Sequence, residues 1–360
     1  MISSLELLRD GDSFICRVRS EDGATGYCIG NGGQLRSLFG VFNDRLRPFF
    51  LGRDATDLER LLAEVYVHRS NYKLQGLALW VPLATIEFAL LDMLGRIAGR
   101  SIGELIGEVQ HSEVAVYAAN SFRGRSADES IELIRANIEA TGARALKFKV
   151  GGRMSNNRDD PPGRTERLIP MVRQAFGDDM VVYADANGSY DVDESIRIGR
   201  LMQEHGFAFF EEPTPFDWYE ETRAVADALT IPIAGGEQEP SLRNFRWLIG
   251  NDGLDIVQPD LFYFGGMIRS MRVARMAAAR GKPCVPHISG WGAGYLYMLH
   301  FVSALPNTGP YHEFKGLNPD LPITSDTSDL GVRNGAVRVP TGPGSGVEID
   351  PAFVARHQPV

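Results

Sequence analysis

Three short apolar runs in this sequence end in a carboxylate and follow one another at a constant interval. The runs VVYAD, FFE and PIAGGE end at Asp185, Glu211 and Glu237, each 26 residues after the one before. Such a repeat indicates a strand–helix unit that places an acid at the carboxyl end of successive strands. Because the carboxyl ends of parallel strands meet on one face, we expect the three side chains to converge.

Converging carboxylates repel one another and partly protonate unless a cation lies between them. A hard divalent cation with oxygen ligands resolves the repulsion, and Mg²⁺ is the natural choice. We therefore predict that Asp185, Glu211 and Glu237 bind Mg²⁺; the alternative, three surface carboxylates, does not explain the common phase. Asn187, two residues after Asp185, could reach the same mouth and contact substrate. Glu212 should point to the other side of its strand and be structural.

The strand–helix alternation extends along most of the chain, starting at the run VAVYAAN after residue 113. A capping box, Ser126-x-x-Glu129, opens the helix that follows. We count eight predicted strands, the seventh at residues 284–285. Near-continuous apolar strands indicate a parallel sheet, and eight in series favour a (β/α) barrel over a Rossmann sheet. The sequence contains no GxGxxG or Walker loop.

The residues before this strand–helix alternation have a different sequence pattern. Residues 11–30 alternate apolar and polar side chains around Glu-Asp-Gly, which predicts a β-hairpin. Residues 31–50 are mixed and glycine-containing, and we expect a mobile loop there. Apolar residues recur at helical spacing over residues 57–107. The first ~110 residues therefore read as an α+β unit.

Composition and charge narrow the class of protein. A net charge of −9 argues against a nucleic-acid partner or an anionic membrane surface. Three cysteines without a CxxC pair argue for a reducing compartment. The most apolar window, residues 77–94, contains Glu87 and Asp92, so we interpret it as a buried helix rather than a membrane span. With no signal peptide in evidence, we expect a cytoplasmic enzyme.

Further ionisable residues lie at the ends of the other predicted strands. Lys147 and Lys149 are two apart and should face the same side, where their mutual repulsion and a nearby cation favour a neutral amine that acts as a general base. Asp260 and His287 end adjacent strands, so the carboxylate should fix the imidazole tautomer and make His287 a base or acid opposite Lys149. Glu313 could be protonated and donate a hydrogen bond to a developing enolate.

These motifs together resemble the enolase superfamily, in its mandelate racemase-like subgroup. The resemblance covers nearly the whole chain, and the matching motifs are KFK (147–149), DAN (185–187), EEP (211–213), GE (236–237), PD…GG (259–266), the His287 turn and the tail GPGSGVEID. It implies an α/β fold, a modified (β/α)7β TIM-type barrel at residues 113–330 under an α+β capping domain. The capping domain would comprise residues 1–112, completed by residues 331–360.

The resemblance also implies roles for the site residues. By position, the three acids correspond to the metal ligands of the family, and Lys149 corresponds to the base that acts first. Lys147 resembles the lysine that assists near the substrate carboxylate, and Asp260 with His287 resembles the catalytic dyad. Glu313 occupies the place of the enolate-stabilising residue, although its distance from His287 in sequence differs among members. Asp260 departs from the muconate-lactonising and dipeptide-epimerase branches, which carry a lysine near that position.

The implied reaction begins with loss of the proton α to a substrate carboxylate. Mg²⁺ would stabilise the enediolate, and His287 would then expel a β-hydroxyl, dehydrating an aldonate or aldarate to a 2-keto-3-deoxy acid. The first alternative is racemisation or epimerisation of a 2-hydroxy acid, with His287 returning the proton on the opposite face. The second is a protein that binds a sugar acid without turnover. Exchange of the α-proton with solvent deuterium separates turnover from binding, and the product separates the two reactions.

The residues that select the substrate are expected in two loops. Residues 29–43 and the polar insertion at 153–166 should border the mouth of the barrel. The insertion offers hydrogen-bonding side chains to a polyol, namely Asn156, Asn157, Arg158 and Arg164. The expected partner is a small carboxylate substrate, and the resemblance suggests a homo-oligomer.

Overall fold

Two sheets of different kinds organise the chain in a computed structural model that describes residues 1–290, 293–316 and 321–360. The strands are, in chain order, β1 Ile2–Asp10, β2 Ser13–Ser20, β3 Thr25–Ile29, β4 Glu113–Asn120, β5 Ala145–Lys149, β6 Val181–Asp185, β7 Phe209–Glu211, β8 Ile233–Gly235, β9 Ile256–Val257, β10 His312–Phe314, β11 Ile323–Thr324, β12 Ala336–Arg338, β13 Glu348–Ile349 and β14 Gln358–Pro359. The α-helices are α1 Gly32–Val41, α2 Arg47–Phe50, α3 Leu58–Val67, α4 Leu77–Ala98, α5 Ile102–Ile106, α6 Ala127–Thr141, α7 Arg164–Phe176, α8 Val192–Glu204, α9 Tyr219–Ala228, α10 Leu242–Gly250, α11 Met267–Ala278, α12 Ala293–Ser303 and α13 Pro351–Arg356. A π-helical turn and two 3₁₀ segments lie among the first helices, at Phe42–Leu46, Ala55–Asp57 and His68–Leu74.

The antiparallel sheet has the order β14-β1-β2-β3. Its β2–β3 pair is the hairpin that the alternation over residues 11–30 predicts. The C-terminal segment divides between the two sheets, since β12 pairs with β4 whereas β14 pairs with β1. The last residues of the chain therefore close one edge of the N-terminal sheet.

The predicted mobile loop at residues 31–50 is wrong, because this segment is helical over nearly its whole length. Its glycines suggest a loop, but Gly32 and Gly33 only begin α1. Leu35, Phe42 and Leu46 recur at helical spacing and are fully buried. The free energy gained by burying this apolar face outweighs the low helix propensity of glycine.

Helix α4 is the buried helix that the apolar window predicts. In the described part of the chain it is the one helix long and apolar enough to cross a membrane, yet 83% of its most apolar window is buried by the rest of the fold. Both of its acids have structural partners. Asp92 accepts hydrogen bonds from the backbone of Tyr27 and Ser345, at 2.9 and 2.8 Å. Glu87 accepts from the backbone of Ile268 at the start of α11, at 3.1 Å.

The parallel sheet is the predicted barrel, in the order β10-β4-β5-β6-β7-β8-β9. The predicted seventh strand at residues 284–285 is wrong as a strand, since this segment makes only isolated bridges. Cys284 bridges to Val257 on one side and to Thr308 on the other, which continues the ring between β9 and the approach to β10. Helices follow the strands on the outside, and α6 begins with the predicted capping box. The α/β barrel fold class is confirmed.

Candidate active site

The register of the barrel places three of the predicted site residues in one row. Lys149 of β5 lies opposite Asp185 of β6, and Asp185 lies opposite Glu211 of β7. Glu237 lies two residues beyond the end of β8. Oxygen atoms of the three carboxylates lie within 4.8 Å of one another, and all three residues are buried. The structure therefore brings together the acids that the constant interval singles out.

The electrostatics of this acid cluster suit a divalent cation. Burial raises the pKa of Glu211 to about 7, with Asp185 and Glu237 adding to the rise against the opposing effect of Lys147. One carboxylate oxygen of Glu237 is buried and makes no hydrogen bond within the described residues, although His287 Nε2 lies 3.2 Å away. An ionised, buried oxygen without a donor is costly unless a cation contacts it. Together with the nearby carboxylate oxygens of Asp185 and Glu211, this oxygen of Glu237 offers the oxygen ligands preferred by hard divalent ions.

Both lysines of β5 point into the acid cluster. Lys147 Nζ donates to the two oxygens of Glu211 at 2.8 and 2.7 Å, and Lys149 donates to Asp185. Burial disfavours the Lys147 ammonium, but Glu211 and Glu313 outweigh it and hold the pKa of Lys147 well above its usual value. The expected neutral amine is therefore wrong for Lys147, because carboxylates surround it more closely than cations do.

Asp260 and His287 form the predicted pair. Asp260 Oδ2 lies 2.7 Å from His287 Nδ1, and the other oxygen of Asp260 accepts from the backbone of Phe262 and Tyr263 and from the hydroxyl of Ser289. These contacts fix the carboxylate and favour the tautomer with the proton on Nδ1. Burial lowers the pKa of His287, but the neighbouring carboxylates raise it overall.

Glu313 lies beside the pair but is ionised, contrary to the expected protonated acid. Although burial favours the neutral form, Lys147, Lys315 and His287 hold the pKa of Glu313 well below its usual range. Its carboxylate lies 3.2 Å from Lys147 Nζ and 3.0 Å from Lys315 Nζ. It also accepts from the backbone of Ile288 at 3.1 Å. Glu313 is thus an acceptor between two ammonium groups.

Asn187 and Glu212 lie behind Asp185 rather than in the open mouth. The side-chain nitrogen of Asn187 lies 3.2 Å from Asp185 Oδ2 and 3.4 Å from Glu212 Oε2, and its oxygen accepts from Arg123. Glu212 does not turn away as strand alternation predicts, because β7 ends at Glu211 and the backbone turns to φ +41° at Glu212. Burial and the neighbouring acids raise the pKa of Glu212 well above its usual value.

Several residues at the site escape the sequence reasoning. Gln258 donates to Glu211 at 2.9 Å, and Lys315 Nζ lies 2.9 Å from His287 Nε2. The sequence does contain a pattern that predicts both residues. Each lies two residues from a predicted site residue at a strand end, as Lys147 does from Lys149. Arg123 lies in a loop, and no sequence pattern predicts its place at the site. It donates to the backbone oxygens of Val150, Gly151 and Ala186.

A cavity of about 1050 Å³ opens above Glu237 and His287. Residues 29–34 of the N-terminal unit form part of its wall, and Lys315 lies on the barrel side. The 153–166 insertion contributes Arg153 to the lining and none of the four predicted polyol contacts.

The four side chains of the insertion have other positions. Arg164 is buried as the first residue of α7 and donates to the backbone oxygen of Lys149. Asn157 pairs with Asp191, and Arg158 donates to the backbone of its own loop. Asn156 does not border the cavity. Apart from Arg153, the polar insertion therefore supports the barrel mouth instead of lining it.

Comparisons with known proteins agree with this geometry. Residues 9–107 match the mandelate racemase / muconate lactonizing enzyme N-terminal domain family, and residues 129–353 match the enolase C-terminal domain-like family. The chain is 29% identical over 305 residues to arabinonate dehydratase from Saccharolobus solfataricus, covering 84% of this chain and 79% of the relative. It is also 29% identical over 349 residues to D-galactarolactone cycloisomerase from Agrobacterium fabrum, covering 93% and 88%.

A solved structure extends the comparison to the whole fold. It is a mandelate racemase/muconate lactonizing protein from Paracoccus denitrificans PD1222 complexed with magnesium, 28% identical, with a TM-score of 0.88 over 100% of this chain and 98% of that one. With both of its family matches and its acid cluster in agreement, this chain belongs to the enolase superfamily, in the group related to mandelate racemase and muconate lactonizing enzyme.

Proposed function

We propose that this protein is a Mg²⁺-dependent dehydratase that converts an acid sugar, an aldonate or aldarate, into a 2-keto-3-deoxy acid. One observation carries the proposal: two proton-transfer groups flank the acid cluster from opposite ends. Lys149 contacts Asp185 at one end, and His287 Nε2 lies 3.2 Å from Glu237 at the other. A carboxylate substrate held at the cluster would have a base on one side and an acid on the other. The similarity to arabinonate dehydratase supports dehydration.

The residues of this chain would divide the chemistry as follows. Asp185, Glu211 and Glu237 would hold Mg²⁺, which supplies positive charge against the negative charge that develops as the α-proton leaves. Lys149 Nζ takes that proton, and the electron pair of the broken C–H bond first delocalises into the substrate carboxylate; in a second step it forms a C=C bond as the β C–O bond breaks. His287, in its doubly protonated imidazolium form, gives the Nε2 proton to the departing hydroxyl, so water leaves and the Nδ1–H tautomer remains. The resulting enol rearranges to the 2-keto acid.

The neighbouring residues would position these groups. Asp260 holds His287 through Nδ1, which leaves Nε2 directed at the reaction. Lys147 would assist at the substrate carboxylate, and Glu313 would hold Lys147 through their 3.2 Å contact. Asn187 remains a candidate contact to substrate, although its bonds to Asp185 make it a support for that acid. In this role Glu313 is a charge partner rather than a proton donor.

A racemase or epimerase is the second candidate, and the same two-sided arrangement favours it. If His287 delivered its proton to the α-carbon instead of the leaving hydroxyl, the product would differ only in stereochemistry. The similarity to D-galactarolactone cycloisomerase shows that the family includes isomerases. Simple binding of a sugar acid without turnover is less well supported, because binding does not require proton-transfer groups on both flanks.

We also propose a cytoplasmic, homo-oligomeric enzyme with a small carboxylate substrate. The three cysteines Cys16, Cys28 and Cys284 are buried free thiols, which fits a reducing compartment. The acidic net charge of −9 fits an enzyme without nucleic-acid or membrane partners.

The direct test is a screen of aldonates and aldarates with Mg²⁺ for keto-acid formation, with NMR in D₂O to follow the α-proton. His287→Asn should abolish keto-acid formation while Lys149-dependent deuterium exchange continues on one epimer. His205→Asn, at the end of α8 and outside the cavity, is the matched control and should retain full activity. Unchanged turnover in His287→Asn would refute the acid role, and a product altered only in stereochemistry would favour the epimerase.

A further inference from the structure

A second cavity lies between the N-terminal unit and the outside of the barrel. Its volume is about 610 Å³, within the range of small-molecule sites. Tyr66 of α3 and Trp80 of α4 form one wall, and the first turns of α10 and α11 form the other. It shares no lining residue with the cavity above His287. We call it the arginine pocket, after the four arginines of its barrel wall, Arg243, Arg246, Arg269 and Arg272.

The charge of the arginine pocket is opposite to that of the whole chain. No aspartate or glutamate is among its described lining residues, although the chain carries a net charge of −9. Arg243 and Arg246 lie one turn apart on α10, are exposed, and form no ion pair with any described residue. Arg272 has only a 3.7 Å contact with the exposed Glu59. Glu239 offsets part of the charge of Arg269, whereas the charges of Arg243 and Arg246 have no ion-pair partner within the described fold.

Arg269 is held rigidly at the centre of this wall. Its guanidinium carbon lies 3.9 Å from the centre of the Trp80 ring and 4.5 Å from that of Phe264, so aromatic faces hold it on two sides. Tyr66 stacks on Trp80 at 5.6 Å with an interplanar angle of 7°. Arg269 Nη2 donates to the backbone of Pro240 at 2.9 Å, which fixes the fork.

One donor of Arg269 is left over. Its Nε is buried and has no hydrogen-bond acceptor in the part of the chain that the structure describes. Burial and the adjacent Arg272 lower the pKa of Arg269 to about 10, so the guanidinium still carries its charge at neutral pH but at an electrostatic cost. An anion in the pocket would relieve the repulsion between Arg269 and Arg272.

We propose that the arginine pocket binds the phosphate group of a small organic phosphate monoester. Guanidinium forks pair bidentately with phosphate oxygens, and a phosphate dianion offers three acceptors to several arginines at once. The volume exceeds what a lone phosphate requires, and Leu62, Leu83 and Ile268 provide apolar wall for the rest of the molecule. Inorganic phosphate shares the same chemistry and should bind more weakly, because it leaves most of the pocket volume unfilled and makes no contact with Gln75 and Ser241 of the wall.

Calorimetric titration of the Mg²⁺-loaded protein with glucose 6-phosphate, and separately with inorganic phosphate, tests the proposal. Arg246→Gln removes an exposed, unpaired cation and should weaken binding of glucose 6-phosphate about tenfold or more without affecting the fold. Arg275→Gln, exposed on α11 and outside the pocket, is the matched control and should stay within about twofold of wild type. Arg269→Gln should abolish binding, and its melting temperature shows whether it folds.

Three outcomes would overturn the proposal. No heat with either phosphate at up to millimolar concentration would mean that the cluster does not select this anion. Equal binding by wild type and Arg246→Gln would place the phosphate elsewhere, such as at the acid cluster with its metal. A change of oligomeric state in Arg246→Gln, without phosphate binding by wild type, would assign this surface to a contact with a second copy of the chain.

Discussion

At the scale of single residues, the direction of the His287 imidazole depends on Asp260. Asp260 is fully buried, and both of its oxygens have partners: one accepts from two backbone nitrogens and Ser289, and the other faces Nδ1. A carboxylate with so many fixed donors cannot rotate, so the imidazole it contacts keeps one orientation. This rigidity is what gives Nε2 a defined direction.

Asp260→Asn should preserve the shape of the site but lose control of the tautomer. We expect the rate of keto-acid formation to fall by about 10²- to 10⁴-fold, the range for general acid–base groups, while α-proton exchange by Lys149 continues. Ser289→Ala removes only one donor to Asp260 and should cost less than about tenfold. Steady-state kinetics and NMR exchange measure the two steps, and equal losses in both steps would contradict a role confined to His287.

Lys315 connects the cavity wall to the catalytic pair. Its Nζ lies 2.9 Å from His287 Nε2 and 3.0 Å from Glu313, and it also donates to the backbone of Ile288 at 2.6 Å. It is the one described lysine that borders the cavity above His287. We infer that it contacts the anionic or hydroxyl groups of the bound substrate.

Replacing Lys315 with methionine should raise KM for the best substrate about 10- to 100-fold, because a charge-assisted hydrogen bond is lost. Lys315→Arg keeps the charge and should recover part of the affinity. Steady-state kinetics show whether the substitution acts on KM, as a binding role predicts, or on kcat. A loss confined to kcat, with KM unchanged, would place Lys315 in the chemistry instead of in binding.

At the scale of elements, Glu87 joins two helices from different parts of the fold. It belongs to α4 and caps the first turn of α11 through the backbone of Ile268, while its second oxygen is buried without a hydrogen-bond partner in the described structure. Burial raises the pKa of Glu87 to about 8, against the opposing effect of the backbone donors. The carboxyl group is therefore protonated at neutral pH.

This pKa makes stability depend on pH in a defined direction. Because the folded-state pKa of about 8 exceeds the unfolded value of 4.5, the folded protein binds the extra proton between these limits, and the free energy of unfolding falls as pH rises through this window. Glu87→Gln keeps an acceptor for Ile268 and removes the titrating group. The decrease in the free energy of unfolding across this pH window should therefore be smaller by about 2–5 kcal/mol than in wild type. Thermal denaturation between pH 5 and 8 measures it.

The exposed Glu59, which also lies near α11, provides the control for this variant. Glu59→Gln should leave the slope of stability against pH as in wild type, because Glu59 is exposed and its 3.7 Å contact with Arg272 is screened by solvent. Equal slopes in wild type and Glu87→Gln would show that Glu87 is ionised in the folded protein.

At the scale of the whole molecule, the sequence predicts the barrel and its acid cluster well because both depend on strand periodicity. The constant 26-residue interval indicates the repeated strand–helix unit. The parallel register of the strands then places Lys149, Asp185 and Glu211 side by side. Residues two apart on a strand share a face, so the position of Lys149 also predicts Lys147. By the same rule, Asp260 and Glu313 point to Gln258 and Lys315 as further site residues.

What the sequence could not predict depends on backbone geometry beyond the strands and on the balance of nearby charges. Glu212 lies next to Asn187, behind Asp185, because of a left-handed backbone turn, which strand alternation does not predict. Arg123 reaches three backbone oxygens from a loop. The charge states of Lys147 and Glu313 depend on neighbours from several strands, Glu211 with Glu313 for the lysine and Lys147 with Lys315 for the acid, so neither follows from its own position in the sequence.

The central claim is that the acid cluster holds a divalent cation that allows Lys149 to remove an α-proton. The most direct test is the rate of deuterium incorporation at the α-carbon of a substrate aldonate or aldarate, followed by NMR in D₂O with Mg²⁺. If this claim holds, exchange stops on chelation, returns on adding Mg²⁺, and is absent in Glu237→Ala at every Mg²⁺ concentration. Exchange that persists in chelator, or in Glu237→Ala, would contradict it.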